Sequence, residues 1–588
     1  MVSLPCSQLQ EITTAEEVLG HEMDKQQICE TPNRRMSVDK TRAKGRAQEN
    51  AGGTQTDQVS HTLPSEKPHS SSLACSGPDR QESRRSASCL SEKEQLKPSV
   101  NHTVCIDAAA VQEGRAIPFV TPNTEEIWRQ DCVKMPFSNF SLQTKMKSGL
   151  CRHEVKVRRW EVIKAALDNT KFETSKDLEN AIKQYNQKYA HLWTFTGLYK
   201  HLDQLPGAER QYLLRQLLPE MAKLALRLPD LCSKPIPLLK RGKSQAITMS
   251  QEQIACLLAN AFFCTFPHRN STQLNSEYIT FPDINFSRLF ARSSQRTTEK
   301  LKTIFCYFSM VTENMPTGLV TFQRCCLHEA VKWKRSQCKL TQLQVCQEGR
   351  IEEEGCDLLQ VDFAAPMVGG GVLSSGLVQE EIRFLINPEL IAARLFTEKL
   401  EDNECLLVTG AQRYSDYGGY SDSYRWLRYH NDETPRDPWL RRHTQIVAID
   451  AINFQNPADQ YKPHYLEREL NKAYCGFSCH VIPAWRHSAV ATGNWGCGAY
   501  KGDAKLKALI QIMAAAQAQR DVLYFTFGDS TLTRSLSEMH QLLQRMDVRV
   551  GQLYNLLEKY SRHDSGIRKG RDLYEFIQSS LNCLKGRI

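Results

Sequence analysis

The first 118 residues of this 588-residue chain contain no phenylalanine, tyrosine or tryptophan. They are rich in Ser, Gln, Glu, Lys and Arg, with polar runs such as HSSSLACSG and RQESRRSASC. A segment with so little aromatic and apolar surface cannot offset the entropy that it loses on ordering. The composition therefore predicts a disordered tail over residues 1–118.

Two further absences exclude classes of protein. No apolar run reaches about 18 residues, the length at which a membrane-spanning helix is indicated. Glu11, Glu16 and Glu17 stand where a signal peptide needs an apolar stretch. We therefore expect neither membrane association nor secretion.

The 21 cysteines include no CxxC pair. The closest cluster is Cys475, Cys479 and His480, which lacks a second pair of ligands at zinc spacing. The favoured interpretation is buried, reduced thiols in an intracellular protein, and a metal site at this cluster is the alternative. We expect no metal and no cofactor.

A net charge of +9 fits an anionic partner without indicating a dedicated nucleic-acid binder, so we expect no sequence-specific binding of nucleic acid. The tail carries a loose basic cluster, which is either a nuclear import signal or a solvated charge run. Its members are Arg34, Arg35, Lys40, Arg42, Lys44 and Arg46. We expect a monomer in the nucleus and the cytoplasm.

Residues 155–265 have a helical pattern. Trp160, Ile163 and Leu167 recur at helical spacing, and Ser250 with Gln253 forms a capping-box signature before an apolar helix. No chemical constellation accompanies them. The pattern predicts a helical accessory domain over residues 119–295.

From about residue 300 short apolar segments alternate with helical ones, which predicts an α/β domain over residues 296–588. The candidate strands are TIFCYF (303–308), LVTF (319–322), LQVDFA (359–364), CLLVTG (405–410), QIVAIDAI (445–452), AVATG (489–493) and VLYFTFG (522–528). Candidate helices start after Asn387, Asp503 and Ser530. In such domains ligands bind beyond the carboxyl ends of the strands.

The strand LQVDFA runs into APMVGGGVLSSGLVQEEI. Its glycines, Gly369, Gly370 and Gly371, can expose backbone N–H groups to a large anion, although most glycine-rich turns are only turns. Glu380 and Glu381 follow at the start of a predicted helix. Glycosidic cleavage needs a proton donor and negative charge beside an oxocarbenium-like centre, which adjacent carboxylates can supply. The alternative for such a pair is simple complementation of the helix dipole.

The segment VDF…VGGG…GLVQEEI resembles the signature of the poly(ADP-ribose) glycohydrolase family. The resemblance covers roughly residues 130–585 and leaves out the tail. Over these residues the chain is similar to the catalytic part of the vertebrate-type enzyme. The resemblance continues through ITMSQEQIACLLANAFFCTFP, FPDINFSRLF, RFLINPEL, YSDYGGY, ELNKAYCGF, AVATGNWGCGA and YFTFGDS.

The resemblance implies a macrodomain-like mixed sheet flanked by helices, preceded by the helical accessory domain. It implies cleavage of the 1″–2′ ribose–ribose bond of poly(ADP-ribose) on modified proteins, release of ADP-ribose, and a role in the DNA damage response. Glu381 matches the acid that protonates the leaving ribose oxygen and then activates water. Glu380 matches the carboxylate that positions the adjacent ribose, and Asp362 the third acidic member.

The same resemblance implies the binding residues. Gly369, Gly370 and Gly371 match the loop that wraps the diphosphate, while Gln379, Ile351 and Glu352 match adenine contacts. Tyr420 matches an aromatic that stacks on the nucleotide, Phe527 an aromatic near the ribose on the diphosphate side, and Asn494 a residue lining the site. Without the resemblance, the alternative for Tyr420 is an ordinary interface or capping tyrosine, and the alternative for Phe527 is a core residue.

One position departs from the family pattern. Where the family is expected to read VDFAN, this chain has Ala365. Three hypotheses remain. The first is an active exo-type glycohydrolase, and the second is a module that binds ADP-ribose chains with little turnover, which the missing amide makes conceivable. The third is an unrelated nucleotide-phosphate hydrolase that uses the glycine-rich loop. The third lacks both a G-x-x-x-x-G-K-[ST] motif and an evident metal cluster.

Overall fold

The computed structural model describes residues 96–120, 128–147, 153–479, 488–564 and 572–585. These residues fall within one unit by their backbone contacts. Residues 1–95 of the predicted tail, with the basic cluster Arg34–Arg46, lie outside the described residues, as does His480. No described helix is long and apolar enough to cross a membrane.

Strands are numbered in chain order. They are β1 (His102–Val104), β2 (Leu142–Lys147), β3 (His153–Arg158), β4 (Gln245–Ser250), β5 (Leu319–Cys326), β6 (Leu343–Cys346), β7 (Leu359–Ala364), β8 (Glu404–Thr409), β9 (Ser415–Gly418), β10 (Arg425–Tyr429), β11 (Gln445–Asp450), β12 (Val490–Thr492) and β13 (Val522–Phe525).

Helices are numbered the same way. They are α1 (Ala108–Gln112), α2 (Arg159–Asn169), α3 (Ser175–Gln184), α4 (Thr196–Asp203), α5 (Gly207–Tyr212), α6 (Leu218–Leu226), α7 (Leu228–Leu231), α8 (Gln251–Phe262), α9 (Ser287–Ala291), α10 (Gln295–Glu313), α11 (Gln379–Ile386), α12 (Ala393–Phe396), α13 (Pro463–Ser478), α14 (Ala504–Gln517), α15 (Ser530–Arg545), α16 (Val550–Asp564) and α17 (Leu573–Lys585). A π-helical segment, Leu213–Leu217, joins α5 to α6, and a 3-10 helix, Pro388–Ala392, precedes α12.

Nine of the strands form one mixed sheet in the order β1-β4-β5-β8-β11-β7-β12-β13-β6. The half from β11 to β6 is parallel throughout, whereas β4, β5, β8 and β11 pair antiparallel. Two antiparallel hairpins, β2–β3 and β9–β10, stand apart from it. The mixed sheet with flanking helices and an N-terminal helical layer confirms the predicted fold class.

Strands at the centre of the sheet are covered on both faces. Every residue of β8 and β11 is buried, and β7 is buried except at Phe363. Strands of this kind read as continuous apolar runs in the sequence. The apolar runs therefore predicted these strands from the sequence. They are β5, β7, β8, β11, β12 and β13.

The helical layer is held together by aromatic packing. Phe262 of α8 contacts the rings of Phe290, Phe305 and Phe308, which lie on α9 and α10. The predicted capping box is present at the start of α8, where Ser250 and Gln253 exchange hydrogen bonds between side chain and backbone. This layer packs against the same hydrophobic core as the glycine-rich loop after β7.

The prediction of a disordered tail is wrong over residues 96–118. There β1 extends the sheet by pairing with β4, with His102 opposite Ala246. Val104, Ile106 and Val111 are buried together with Leu319 of β5. The segment lacks aromatic residues, but its aliphatic side chains supply enough apolar surface to dock.

Two other predictions also need correction. The segment 303–308, predicted as a strand, lies inside α10, because its apolar residues continue a longer helical pattern that begins at Gln295. The helix predicted after Asn387 is split between the 3-10 segment and α12.

The predicted domain boundary at residue 295 does not divide the sheet. Strand β4, from the predicted accessory domain, pairs with β5, from the predicted catalytic domain, along its whole length. Helix α10 starts at residue 295 and packs into the helical layer. The two predicted domains therefore share one sheet and one core.

Candidate active site

The parallel half of the sheet brings most of the predicted site residues to one edge. Ile351 and Glu352 follow β6, the glycine run follows β7, Asn494 follows β12 and Phe527 follows β13. Because these strands run in the same direction, their carboxyl ends meet at the same edge. The sheet thus brings the glycine run, Asn494 and Phe527, which are far apart in sequence, to the same edge.

Two adjacent carboxylates are held by the loop that follows β7. Glu380 accepts hydrogen bonds from Ala365 N (2.8 Å) and Gly369 N (2.6 Å). Glu381 accepts from Gly371 N (2.7 Å) and Val378 N (2.9 Å). Four backbone amides therefore fix both side chains, which are 3% and 5% exposed.

The local sequence explains this arrangement. Glu381 is the third residue of α11, and its side chain reaches back to the N–H of Val378, as a capping glutamate does. Both carboxylates also lie at the positive end of the helix dipole. The helix-start interpretation and the catalytic interpretation of this pair are therefore compatible.

The expectation that the three glycine amides form an open phosphate nest is wrong. Gly369 N and Gly371 N donate to the two glutamates, and Gly370 N donates to Met367 O (3.2 Å). The glycines are needed for a different reason. Gly369 and Gly370 have φ of 82° and 43°, and a Cβ on Gly370 would lie 2.6 Å from Glu380 Oε2 and overlap Glu381 Oε1.

Two buried basic side chains, Lys300 and Arg394, donate hydrogen bonds to the carbonyl groups of the same loop. Lys300 of α10 donates to Gly371 O (2.9 Å), Val372 O (3.2 Å) and Ser374 O (2.9 Å). Arg394 of α12 donates to Val368 O (2.7 Å) and Gly370 O (3.0 Å). With its carbonyls held by cations, the loop turns its N–H groups towards the carboxylates.

Asp362 lies beneath this loop on β7. It is fully buried, and neither carboxylate oxygen has a hydrogen-bond partner among the described residues. Burial raises the pKa of Asp362 to about 8, against the opposing effect of the Arg383 guanidinium. Burial and the nearby charges of Asp362 and Glu381 likewise raise the pKa of Glu380 well above its usual range. The site therefore retains protons at neutral pH.

Arg383 carries the positive charge that opposes the rise in the pKa of Asp362. It lies on α11, is 5% exposed, and its Nε has no hydrogen-bond partner among the described residues. It lines a polar cavity of about 250 Å³ that runs along α11 and also borders Glu352, Gln360 and Asn387.

Glu352 and Ile351 occupy different surroundings. Glu352 faces the cavity and accepts a hydrogen bond from the hydroxyl of Tyr417 (2.5 Å). Ile351 is 2% exposed and packs with Ala491 and Phe525 in a small core cluster. The structure thus leaves Glu352 accessible to a ligand from the cavity, whereas the Ile351 side chain serves packing.

Gln379, predicted as an adenine contact, forms hydrogen bonds with β7. Its Oε1 accepts from Phe363 N (2.8 Å), and its Nε2 donates to Val361 O (3.2 Å). Strand β12 pairs with β7 only at Leu359 and Gln360, so further along this edge β7 has no strand partner among the described residues. The Gln379 side chain therefore makes the hydrogen bonds to β7 that a neighbouring strand would otherwise make.

Tyr420 lies on the turn between β9 and β10, and its side chain is 48% exposed. Arg296 of α10 ties this turn to the glycine loop, since it donates to Asp422 Oδ1 (2.5 Å), Ser421 Oγ (3.0 Å) and Ser375 O (3.3 Å). The exposed ring is thereby held next to the loop that carries the carboxylates.

Asn494 and Phe527 lie together at the end of β12 and β13. Asn494 Oδ1 accepts from the hydroxyl of Tyr524 (3.1 Å). Phe527 follows β13 with φ of 53°, and a Cβ on Gly493 would lie 2.5 Å from its ring. Such a backbone conformation is costly for an aromatic residue, which marks a local constraint at the site.

Sequence reasoning missed the cations. Lys300 and Arg296 precede the glycine loop by more than sixty positions in the sequence, and Arg394 and Arg383 lie within ordinary helical patterns. No local spacing connects them with the carboxylates. Only the packing of α10, α11 and α12 around the loop brings them together.

Comparisons with known proteins agree with this architecture. Residues 330–534 match the family profile described as poly(ADP-ribose) glycohydrolase, macro domain fold, and residues 205–324 match the profile of its helical domain. A solved structure titled as poly(ADP-ribose) glycohydrolase from Deinococcus radiodurans in complex with ADP-ribose covers 37% of this chain and 89% of its own, at 17% identity and a TM-score of 0.22. That overlap is too loose to compare side chains.

Curated relatives are more similar. The chain is 33% identical over 429 residues to "Poly(ADP-ribose) glycohydrolase 1" of Arabidopsis thaliana, covering 59% of this chain and 78% of that protein. It is 32% identical over 430 residues to "Probable poly(ADP-ribose) glycohydrolase 2" of the same plant, covering 62% and 82%. "Poly(ADP-ribose) glycohydrolase 2" of Caenorhabditis elegans is 34% identical over 331 residues, covering 54% and 65%. With two profiles matched in order and relatives aligned over most of their length, the chain belongs to the poly(ADP-ribose) glycohydrolase family.

Proposed function

We propose that Glu381 and Glu380 are the catalytic pair with which this glycohydrolase cleaves the ribose–ribose bonds of poly(ADP-ribose) and releases ADP-ribose. One observation carries the proposal. Two adjacent carboxylates, almost fully buried, are fixed by four amides of one loop at the carboxyl end of a central parallel strand.

Glu381 acts as the acid and then as the base. It gives its proton to the departing 2′ oxygen as the bond from that oxygen to C1″ breaks, and it then takes a proton from the water that attacks C1″. The amides of Gly371 and Val378 donate hydrogen bonds to the carboxylate that is left once the proton has gone. The same residue thus ends the reaction protonated, ready for the next bond.

Glu380 positions the sugar rather than exchanging protons with it, and Asp362 supports the site from beneath the loop. Burial raises the pKa of both carboxyl groups, to about 8 for Asp362, and so favours their protonated forms. A protonated carboxyl group at Glu380 can both donate to and accept from a ribose hydroxyl.

The nucleotide is held by groups around this pair. Tyr420 stacks on a base from the turn that Arg296 ties to the loop, and Glu352 contacts adenine from the cavity. Phe527 and Asn494 border the ribose on the diphosphate side. Because all three glycine amides are already engaged, the diphosphate is contacted by the accessible end of the loop, at Ser375 and Gly376.

A binding module with little turnover is the second candidate, and Ala365 favours it. The backbone N–H of Ala365 still holds Glu380, but its methyl group offers no hydrogen bond where the family is expected to have an amide. In that case the same crevice grips the end of a chain without releasing products.

The deciding experiment incubates the protein with radiolabelled poly(ADP-ribose) in a chelating buffer and separates the products by chromatography. An active, metal-independent enzyme accumulates free ADP-ribose. Monomeric ADP-ribose from the earliest time points supports the vertebrate-type, exo mode that we infer, whereas early oligomers contradict it. Stable binding without products supports the second candidate.

We also propose that the protein acts in the nucleus as well as the cytoplasm, as a monomer, in the DNA damage response. The basic cluster Arg34–Arg46 supports nuclear import. A fluorescent reporter fused to residues 1–60 tests it, with a matched reporter in which the six basic residues are changed to Gln. Equal nuclear accumulation of the two reporters contradicts the proposal, and light scattering of the purified chain tests the monomer.

A further inference from the structure

Four cysteine side chains converge between β5, β8 and α13. None of these elements contributes a residue to the candidate active site. Cys325 and Cys405 are directly opposite each other on the paired strands β5 and β8. Cys475 lies on α13, and Cys479 is the residue that caps the end of this helix one turn later. Three separate elements therefore supply the sulfur atoms.

Three of the sulfur atoms are close enough to share one ligand, and the fourth lies beside one of them. Those of Cys325, Cys405 and Cys479 lie within 4.8 Å of one another, whereas Cys475 lies outside this group with its Sγ 3.8 Å from Cys405 Sγ. A zinc ion with tetrahedral bonds of about 2.3 Å holds its sulfur ligands about 3.8 Å apart. Three sulfur atoms therefore already approach the spacing of a zinc site, and Cys475 has to move towards them to complete it.

The surroundings also suit a buried metal. Cys325, Cys405 and Cys475 are 7%, 0% and 3% exposed, and Cys479 is half-buried. In the structure Cys325 and Cys479 are joined by a disulfide, while Cys405 and Cys475 are free thiols. Reduction of this one bond would therefore leave four thiols between β5, β8 and α13.

We propose that, in the reduced protein, Cys325, Cys405, Cys475 and Cys479 bind one Zn²⁺ as a structural site. A dithiol reductant supplies two electrons and two protons to the disulfide, which becomes two thiols while the reductant becomes a disulfide. Four thiol protons are then released as four Zn–S bonds form. An all-sulfur tetrahedral set favours zinc and leaves no open position for catalysis.

The site would fasten the end of α13 to the antiparallel half of the sheet. Helix α13 packs over β8 and β11, where Lys472 donates to Glu404 O (2.8 Å) and Asp450 Oδ1 (2.6 Å). A metal bound by both β strands and by both ends of the last helical turn cross-links three elements that are distant in sequence. It is expected to stabilise the fold without entering the hydrolytic reaction.

Cobalt reports the ligand set directly. The full-length protein is reduced with a phosphine, freed of metal with a chelator under anaerobic conditions, and titrated with Co²⁺ alone. We expect the ligand-field bands and the sulfur-to-cobalt charge-transfer absorption of a tetrahedral tetrathiolate, saturating at one ion per chain and lost on addition of Zn²⁺. Elemental analysis of protein purified under reducing conditions should find zinc in the same proportion.

A pair of serine variants locates the site. Cys479→Ser removes a half-buried ligand and should weaken Co²⁺ binding by more than about 100-fold, since even outer-shell changes cost 10–100-fold. Cys583→Ser, which changes an exposed cysteine of α17, should leave the spectrum and the affinity unchanged. If Cys479→Ser fails to fold, the titration of the unmodified protein still decides.

Any of the following results overturns the proposal. The first is a reduced, folded protein that gives no tetrathiolate spectrum at micromolar Co²⁺. The second is a Cys325–Cys479 disulfide that survives reductant in the folded protein. The third is a cobalt spectrum that persists in Cys479→Ser, or iron in place of zinc in the purified protein.

Discussion

Gly370 lies directly against Glu381, so that a side chain on the glycine would occupy the space of the glutamate's carboxylate. The same glycine faces Glu380 Oε2, and its φ of 43° falls in the left-handed region. The loop after β7 can therefore pack on the two carboxylates only through a glycine. This contact explains why the residue is glycine.

Gly370→Ala should separate binding from catalysis. The added Cβ must push both carboxylates aside, so we expect the turnover number to fall by at least about 100-fold, as misplacement by about 1 Å does. We expect only a small change in the affinity for ADP-ribose. Single-turnover kinetics and calorimetry measure the two. Gly207→Ala, at a glycine with nothing near its Cβ, is the control and should match the parent.

Glu381→Gln should abolish the proton transfer. Loss of general acid–base help typically costs about 10²–10⁴-fold in rate. The amide also faces N–H donors from both Gly371 and Val378, so one of those hydrogen bonds is lost and a modest drop in thermal stability accompanies the loss of rate. The control is Glu220→Gln, at an exposed surface ion pair.

If the unmodified protein is already slow and Glu381→Gln is no slower, the binding module is favoured. In that event Ala365→Asn should raise the rate, because it restores the expected amide. An active parent whose rate is untouched by Glu381→Gln would mean that another group is the acid.

Asp362→Asn should change how stability depends on pH. Burial raises the pKa of Asp362 to about 8, so between about pH 4 and pH 8 the folded protein keeps a proton that the unfolded chain loses. The free energy of unfolding therefore falls as pH rises, by up to about 1.4 kcal/mol per pH unit from this group. Asparagine carries no such proton.

The melting temperature of Asp362→Asn, relative to the parent, should therefore be higher at pH 8 than at pH 5. Asp168→Asn, at an exposed position on α2, serves as the control. A difference that is constant across the range contradicts the raised pKa. The variant should nevertheless lose activity, since Asp362 lies beneath the catalytic loop.

Tyr420→Ala should weaken binding with little effect on the chemical step. A stacked base is worth about 1–3 kcal/mol, which corresponds to about 5–150-fold in affinity. The control is Tyr429→Ala, in the same hairpin and 52% exposed, which should bind as the parent does. Equal affinity in the two variants would remove Tyr420 from the site.

Truncation should distinguish the docked part of the N-terminal segment from the rest. A chain starting at Leu96 retains β1 and its small core and should keep full activity and stability. A chain starting at Phe119 loses β1 and exposes the edge of β4, so we expect a lower melting temperature and aggregation. Identical melting curves for the two would show that β1 contributes nothing.

Much of the α/β region was determined by the sequence, because its central strands are buried on both faces and read as apolar runs. The capping residues Ser250 and Asp503 also predicted the starts of α8 and α14, since cap geometry depends only on neighbouring residues. The adjacent glutamates and the glycine run before them were visible for the same local reason.

Only the tertiary structure decided which groups surround those glutamates. Lys300, Arg296 and Arg394 reach the glycine loop because α10 and α12 pack beside it. Gln379 bonds to β7 because β12 pairs with only the first two residues of that strand. Cys325, Cys405 and Cys475 are at least 70 residues apart along the chain. Strand register and helix packing bring them into contact. Local patterns record a residue's neighbours in sequence, whereas a site is built from neighbours in space, and burial then sets the charge that each group carries.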